Sequence, residues 1–197
     1  MGRSFANITV KGQTQDSLVE YLKQARRNAY VSPSVDDLVV VYDEDSEFNI
    51  KGLYDLSLQM SKDFNCLTFS ITIYDESSFV YELFENGNLM DEYFSSTEED
   101  LFPKGGDAQK LCSILGVKQS INRVRPILRE PSTENVYLFA SQRHKHLVRE
   151  LCLPLWSTEI IGGYRDIEEE VIGAIIFDED DFPDVEATLS MIKNTFE

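Results

Sequence analysis

The first 73 residues carry strand and helix patterns in an order that limits the fold. Residues 67 to 73 alternate apolar and polar side chains, from Leu67 to Ile73, with the period of a strand that has one buried face. Before them the sequence predicts a strand at 4–10, a helix at 15–28, strands at 30–32 and 38–42, and a helix at 51–64. This βαββαβ order predicts an α+β, ferredoxin-like unit: an antiparallel sheet with both helices on one face.

A hairpin follows this unit. Asn86-Gly87 separates two strand-like runs at 79–85 and 89–94, and Asn-Gly in that position strongly indicates a tight hairpin turn. The hairpin extends the sheet to six strands and is rich in aromatic residues: Phe79, Tyr81, Phe84, Tyr93 and Phe94. A polar loop follows, so we expect an α+β sheet domain at 1–103 and a mainly helical subdomain with a short strand at 104–197, packed together as one globular unit.

The sequence of the second region, residues 104–197, predicts mostly helices. A helix begins at Gly105-Gly106-Asp107 and ends at Gly116, and a second helical stretch around Ile121 to Leu128 is interrupted by Pro126. Residues 136–140 form an apolar run that predicts a strand, and Ser141 then acts as the N-cap of a helix at 142–151. Further along, the sequence predicts a short strand at 171–177 and a terminal helix at 185–196.

Charge is distributed in three blocks. The chain of 197 residues has a net charge of −17, with −12 in residues 1–103, +6 in residues 104–149 and −11 in residues 150–197. Such a negative molecule repels phosphate backbones, so we expect no nucleic-acid partner. The basic segment 104–149 is expected to act mainly as an internal counter-charge for the acidic blocks.

The compartment follows from the cysteines and the lack of long apolar runs. Cys66, Cys112 and Cys152 are far apart in the sequence and have no CxxC spacing, which favours reduced, mostly buried thiols and no zinc site. No apolar run has the length of a signal peptide or a membrane span. We therefore expect a cytoplasmic protein with no membrane association, no metal and no cofactor.

Two sequence features carry a weak case for chemistry. His144 and His146 lie two residues apart on a predicted helix, where they cannot share a metal, and His144 shares its face with leucine and valine, as a structural imidazole does. The helix start at Lys104-Gly105-Gly106-Asp107 can bind an anion, although an N-capping Asp107 also explains it. A candidate anion or partner site comprises Lys104, Gly105, Gly106, Arg123, Arg125, Arg143, His144 and Lys145.

Residues 107–129 resemble a helix-turn-helix of bacterial DNA-binding repressors around Leu115-Gly116-Val117. In that motif an apolar anchor lies six residues after the glycine, whereas this chain has Asn122 there. Pro126 is also expected to break the recognition helix. An ordinary helical hairpin is therefore the better interpretation of this segment.

Several segments resemble a group of uncharacterised bacterial proteins. The resemblance rests on Gly2-Arg3-Ser4-Phe5-Ala6-Asn7, Tyr81-Glu82-Leu83-Phe84-Glu85-Asn86-Gly87 with Asp91-Glu92-Tyr93, Gly105-Gly106-Asp107-Ala108, and Arg143-His144 through Pro154. The acidic stretch after Tyr164 departs from the group. The resemblance implies a single bacterial cytoplasmic protein, and it implies no activity or site residue because the group has no assigned one.

These observations favour a non-catalytic binding or regulatory protein that acts through a protein partner or self-association, using a sheet edge or the aromatic hairpin. The alternative is an enzyme or a small-anion-binding domain that uses segment 104–149 with His144, and DNA binding through 107–129 ranks below both. The sequence assigns no catalytic residue. Convergence of Arg123, Arg125, Arg143 and Lys145 on one concave site favours the alternative, whereas scatter removes it.

Overall fold

A computed structural model of the chain describes residues 2–97, 102–129 and 137–158, together with the backbone of 174–176. The strands are β1 (Phe5–Lys11), β2 (Ala29–Val31), β3 (Leu38–Asp43), β4 (Leu67–Tyr74), β5 (Ser78–Glu85), β6 (Asn88–Ser96), β7 (Lys104–Gly105) and β8 (Ala174–Ile176). The α-helices are α1 (Gln15–Gln24), α2 (Ile50–Asp63), α3 (Ala108–Leu115), α4 (Ile121–Arg129) and α5 (Ala140–Glu150). Within the described residues, no helix is long and apolar enough to cross a membrane.

The strands form one sheet in the order β7-β6-β5-β4-β1-β3-β2-β8. Strands β1 to β7 pair in antiparallel fashion, and β8 adds to the edge of β2 in parallel. The α+β class and the antiparallel sheet are confirmed. The sheet is larger than the predicted six strands. Strand β7 has two residues, too few for a period-two pattern. Strand β8 lies within the strand predicted at 171–177, but the sequence places that strand in the second region and not in this sheet.

Helices α1 and α2 pack on one face of the sheet. Thr14 and Asn49 cap them by accepting hydrogen bonds from the backbone N–H groups of Ser17 and Gly52. Their buried side chains share a core with the residues of β1 and β3 that point the same way; this core includes Ala6, Ile8, Val10, Leu18, Leu22, Val39, Val41, Leu53 and Met60. The predicted common face of the two helices is therefore observed, although α1 ends at Gln24 because Arg26 takes a positive φ of 55°.

Helices α3, α4 and α5 cover the opposite face of the sheet. Their apolar residues join those of β1, β4 and β5 in a second core, which includes Phe5, Phe69, Ile73, Phe79, Leu111, Val124, Leu128, Leu147 and Val148. Asp107 caps α3 by accepting hydrogen bonds from the N–H groups of Gln109 and Lys110, as predicted. Gly116 ends α3 in the left-handed conformation, at φ 82°.

The prediction that Pro126 interrupts the second helix is wrong. Helix α4 runs from Ile121 through Pro126 to Arg129. Proline removes one backbone hydrogen bond, which weakens the helix. Val124, Ile127 and Leu128 are buried in the second core, and this packing outweighs the local cost of the proline.

The prediction of a strand at 136–140, with Ser141 as the following N-cap, is also wrong for its described part. Residues 137–139 are irregular, and α5 begins at Ala140 with Phe139 as its N-cap residue. The N–H of Ala140 donates to Glu76 O at 2.8 Å and the hydroxyl of Ser141 donates to the Glu76 carboxylate at 2.6 Å. Glu76, which is 65 positions from Ser141 in the sequence, thus supplies the acceptors at the start of α5. The predicted terminal helix at 185–196 lies outside the described residues.

Candidate functional site

The basic residues singled out from the sequence do not converge on one site. Arg123 donates from Nε to Glu150 Oε2 at 2.6 Å and from its NH2 group to Ser120 Oγ at 3.0 Å, so it links α4 to α5. Arg143 and His144 are buried on α5, and Lys145 lies half-buried beside them. Arg125 is exposed on α4 and lines a separate pocket. Lys104 and Gly105 form the exposed strand β7.

Arg143 is part of the core. Only 1% of its surface is exposed, its guanidinium lies 4.2 Å from the centroid of the Tyr137 ring, and it donates a hydrogen bond to Ile127 O. Burial raises the pKa of the Tyr93 hydroxyl, and the neighbouring Arg143 guanidinium acts in the opposite direction. The planar guanidinium of Arg143 can donate hydrogen bonds and stack on an aromatic ring at the same time. Through these contacts Arg143 links α5 to α4 and to the sheet.

The two histidines differ in surroundings. His144 is buried, with its ring centroid 5.2 Å from that of Phe79 and 5.9 Å from that of Phe5. His146 is exposed and meets the Tyr137 ring edge-on at 5.6 Å. Its pKa is lowered by partial burial and by the nearby charges of Arg149 and Lys145. The His144 ring, in contrast, packs between α5 and the sheet against Phe5 and Phe79 and has a structural role.

A pocket in the basic segment lies between the start of α3 and one face of α4. This pocket has a volume of about 250 Å³ and is lined by Gly106, Asp107, Ala108, Gln109, Arg125, Leu128 and Arg129. Arg129 is the basic residue of this lining that the candidate site from the sequence does not include. Its spacing of four residues from Arg125 on α4 was the available signal, because such residues share a helix face.

The glycine turn at the pocket is pinned to the sheet. Gly106 N–H donates to Glu92 O at 2.7 Å, and Asp107 N–H donates to Asp91 Oδ2 at 2.9 Å. Gly106 has a φ of 70°, and a Cβ there would lie 2.9 Å from the Tyr93 ring. A residue with a side chain would therefore not fit, and this explains the glycine in Lys104-Gly105-Gly106-Asp107.

The aromatic hairpin does not provide a partner surface. Four of its five aromatic residues, Phe79, Tyr81, Phe84 and Tyr93, are buried, and Phe94 is half-buried. The outer edge of β6 is also occupied. Strand β7 pairs with it at Tyr93 and Phe94, and the Lys110 ammonium donates to Met90 O at 3.0 Å. A covered edge with a lysine on it resists addition of a further strand.

Exposed apolar side chains occur instead in two segments that hydrogen bonds join at the turn between β4 and β5. Tyr74 is 58% exposed at the end of β4, while Leu138 and Phe139, just before α5, are 52% and 45% exposed. The hydrogen bonds from Ala140 and Ser141 to Glu76 hold the start of α5 against the same turn. We call Tyr74, Leu138 and Phe139 the turn cluster. The sequence does not indicate this cluster, because the apolar run at 136–140 predicts a strand.

A buried carboxyl group lies on the face of the sheet that α2 covers. Glu82 on β5 is 6% exposed, accepts a hydrogen bond from Ser70 Oγ at 2.6 Å, and pairs across the sheet with Glu92. Burial raises the pKa of Glu82 above its ordinary value, the negative charge of Glu92 raises it further, and the bond from Ser70 lowers it in part. The folded protein therefore favours protonated Glu82 more than the unfolded chain does.

Because of this raised pKa, Glu82→Gln is expected to stabilise the protein at about pH 7. A group with a raised folded-state pKa adds stability below its unfolded pKa and loses that contribution as the pH rises through the folded pKa. The gain from the substitution should therefore shrink as the pH falls to about 4. Urea unfolding at both pH values measures it, with half-exposed Glu85→Gln as the control. An equal effect of Glu82→Gln at both pH values would contradict the assignment.

The three cysteines are free thiols, and two of them are buried as predicted. Burial raises the pKa of Cys66 to about 11, and burial together with the nearby charge of Glu150 raises that of Cys112. Cys152 differs from the prediction, because it follows α5 and is exposed. In the described parts of the chain, no group of three or more His, Cys, Asp or Glu side chains is arranged to hold a metal ion.

Comparison with protein-family models, with curated protein sequences and with solved structures finds no match to this chain.

Proposed function

We propose that the protein is a non-catalytic, cytoplasmic binding protein that recruits a protein partner through the turn cluster of Tyr74, Leu138 and Phe139. The observation that carries this proposal is the exposure of these three large apolar side chains in two segments that are hydrogen-bonded to each other through Glu76. Grouped exposed apolar residues are a common mark of interaction surfaces, whereas isolated ones need no explanation.

The backbone beneath the turn cluster is held in place. Besides the three hydrogen bonds that Ala140 and Ser141 donate to Glu76, Phe139 N–H donates to Gln142 Oε1 at 3.2 Å and Ser77 N–H donates to Tyr74 O at 2.9 Å. A partner that binds here has little backbone freedom to restrict in this protein. A rigid aromatic and aliphatic surface of this kind provides binding energy at a low entropic cost.

The charge of the chain indicates the chemistry of the partner. The molecule carries −17, and exposed Asp75 lies within the turn beside the cluster. A basic partner segment with apolar side chains is complementary to this surface and is steered towards it at low salt. A second copy of the chain brings a further −17 and is repelled, so a basic protein is a better occupant than self-association.

The double substitution Leu138→Ser, Phe139→Ser is expected to abolish capture of a basic partner from native lysate while leaving the protein folded. The reason is that it removes two of the three apolar contacts and touches no buried residue. The measurement is affinity capture with quantitative mass spectrometry, together with thermal unfolding of each variant. The control is Phe102→Ser, which removes a 68% exposed phenylalanine outside the cluster.

The proposal is supported if one basic protein is lost with the double variant and retained with the control. Three outcomes contradict it: no protein whose capture depends on the cluster, an acidic protein in its place, or a concentration-dependent dimer that the double variant abolishes. The dimer would show that a second copy occupies the cluster.

We also propose that β1 to β4 with α1 and α2 form a ferredoxin-like unit. The proposal is supported by the strand order β4-β1-β3-β2, by the antiparallel pairing of these neighbours and by the common face of the two helices.

A further inference from the structure

The pocket between α3 and α4 contains two arginines and shares no residue with the turn cluster. Arg125 and Arg129 lie one helical turn apart on α4 and face the glycine turn. Guanidinium groups on one helix face repel each other, and an anion that contacts both relieves this repulsion. The pocket is therefore a place where positive charge has been gathered on a strongly negative molecule.

Arg129 is held in position by the main chain. It donates hydrogen bonds from NH1 to Gly105 O and from NH2 to Gly106 O, and these glycines are themselves fixed by the sheet through Glu92. Arg125 is different: within the described ranges it makes no hydrogen bond or ion pair. One guanidinium is thus fixed at the pocket and the other is available to a ligand.

The acidic member of the pocket lining has a structural role. Asp107 Oδ1 accepts hydrogen bonds from the N–H groups of Gln109 and Lys110, at 2.9 and 3.1 Å, so it caps α3. The start of α3 therefore already has its anion, and the positive end of the helix is not the basis of a site. The attraction for a further anion comes from the two arginines.

We propose that this pocket binds the phosphate group of a small molecule, with Arg125 and Arg129 as its ligands. A phosphate dianion has several acceptor oxygens. Arg125 offers it a pair of N–H donors. Arg129, whose NH1 and NH2 groups already donate to Gly105 O and Gly106 O, contributes its positive charge and its remaining N–H groups. A volume of about 250 Å³ suits inorganic phosphate or a small phosphate monoester and is below that of typical drug-sized pockets. Because the whole molecule repels anions, we expect a dissociation constant of about 1 to 10 mM.

The test is a titration of the full chain followed by amide NMR. The probes are inorganic phosphate and glycerol phosphate, each compared with sodium chloride at matched ionic strength. We expect saturable shifts of the amide signals of Gly106, Ala108 and Gln109 with at least one probe. Saturation with both indicates that the phosphate group suffices, whereas saturation with the monoester alone identifies a monoester as the ligand class.

Matched charge variants separate a site from general attraction. Arg125→Gln is expected to weaken binding by about tenfold or more, since it removes a paired hydrogen-bond donor. Lys118→Gln makes the same charge change at an exposed position outside the pocket and should alter binding by less than about twofold. No saturable shift with either probe, or equal weakening by the two substitutions, would overturn the proposal. The turn cluster is elsewhere, so partner capture and phosphate binding can fail independently.

Discussion

Arg143→Ala is expected to lower the free energy of unfolding by about 3 to 5 kcal/mol. The substitution leaves a cavity where a large buried side chain stood and removes the cation that lies 4.2 Å from the Tyr137 ring centroid. It also deprives the buried Ile127 O of its donor. An unsatisfied buried acceptor alone costs about 1 to 3 kcal/mol, so the three losses together place this effect among the largest available to one substitution.

Urea unfolding of the purified variants measures this effect, with Arg125→Ala as the control. Arg125 is on the neighbouring helix and is exposed, so its substitution should change the free energy of unfolding by no more than about 0.5 kcal/mol. Arg143→Lys keeps the charge but not the planar fork, and is expected to rescue little of the loss. A loss below about 1 kcal/mol for Arg143→Ala would show that the buried guanidinium is not a structural element.

Arg143 also illustrates why part of the site was not predictable from the sequence. In a segment of charge +6, an arginine is expected to be exposed and free to bind a ligand, because arginine is seldom fully buried. Its burial depends on Ile127 O, Tyr137 and Tyr93, which come from different parts of the chain. Long-range packing of this kind has no local signature, whereas the i, i+4 spacing of Arg125 and Arg129 did have one.

The fold was more predictable in the first part of the chain than in the second. In the first 97 residues, period-two runs, the Asn86-Gly87 turn and the capping residues Thr14 and Asn49 all specify the same elements locally. In the second part, long-range packing determines where the helices begin and end. Helix α4 continues through Pro126 because its apolar face is buried, and α5 begins at Ala140 because Glu76 supplies an acceptor from another strand turn.

Only part of the basic segment behaves as an internal counter-charge. Arg123 pairs with Glu150, which begins the acidic block at 150–197. Lys110, Arg129 and Arg143 donate instead to the main-chain carbonyl groups of Met90, Gly105, Gly106 and Ile127. Charged hydrogen bonds to carbonyl groups join elements without cancelling charge. Within the described residues, positive charge therefore remains around the pocket of Arg125 and Arg129, which supports the proposed phosphate site.

Asp43→Ala is expected to lower the free energy of unfolding by about 2 to 4 kcal/mol. Asp43 is buried at the end of β3 and accepts two hydrogen bonds from Arg27, from Nε at 2.7 Å and from NH2 at 2.5 Å. The same carboxylate accepts from the N–H of Ser46 at 2.9 Å and so caps the short helix Glu44–Ser46. Hydrogen bonding to Asp43 raises the pKa of Arg27, which remains charged, and removal of Asp43 leaves that charge without its buried partner.

A double-mutant cycle assigns this loss to the pair. If the pair carries it, Arg27→Met in the Asp43→Ala background should recover part of the stability, because the uncompensated cation is then gone. The exposed pair Lys51–Asp55 on α2 is the matched control, and Asp55→Ala should cost about 0.5 kcal/mol or less. Equal costs for Asp43→Ala and Asp55→Ala would mean that burial adds nothing to the Arg27–Asp43 pair. The link between the end of α1 and the end of β3 would then depend on the apolar core alone.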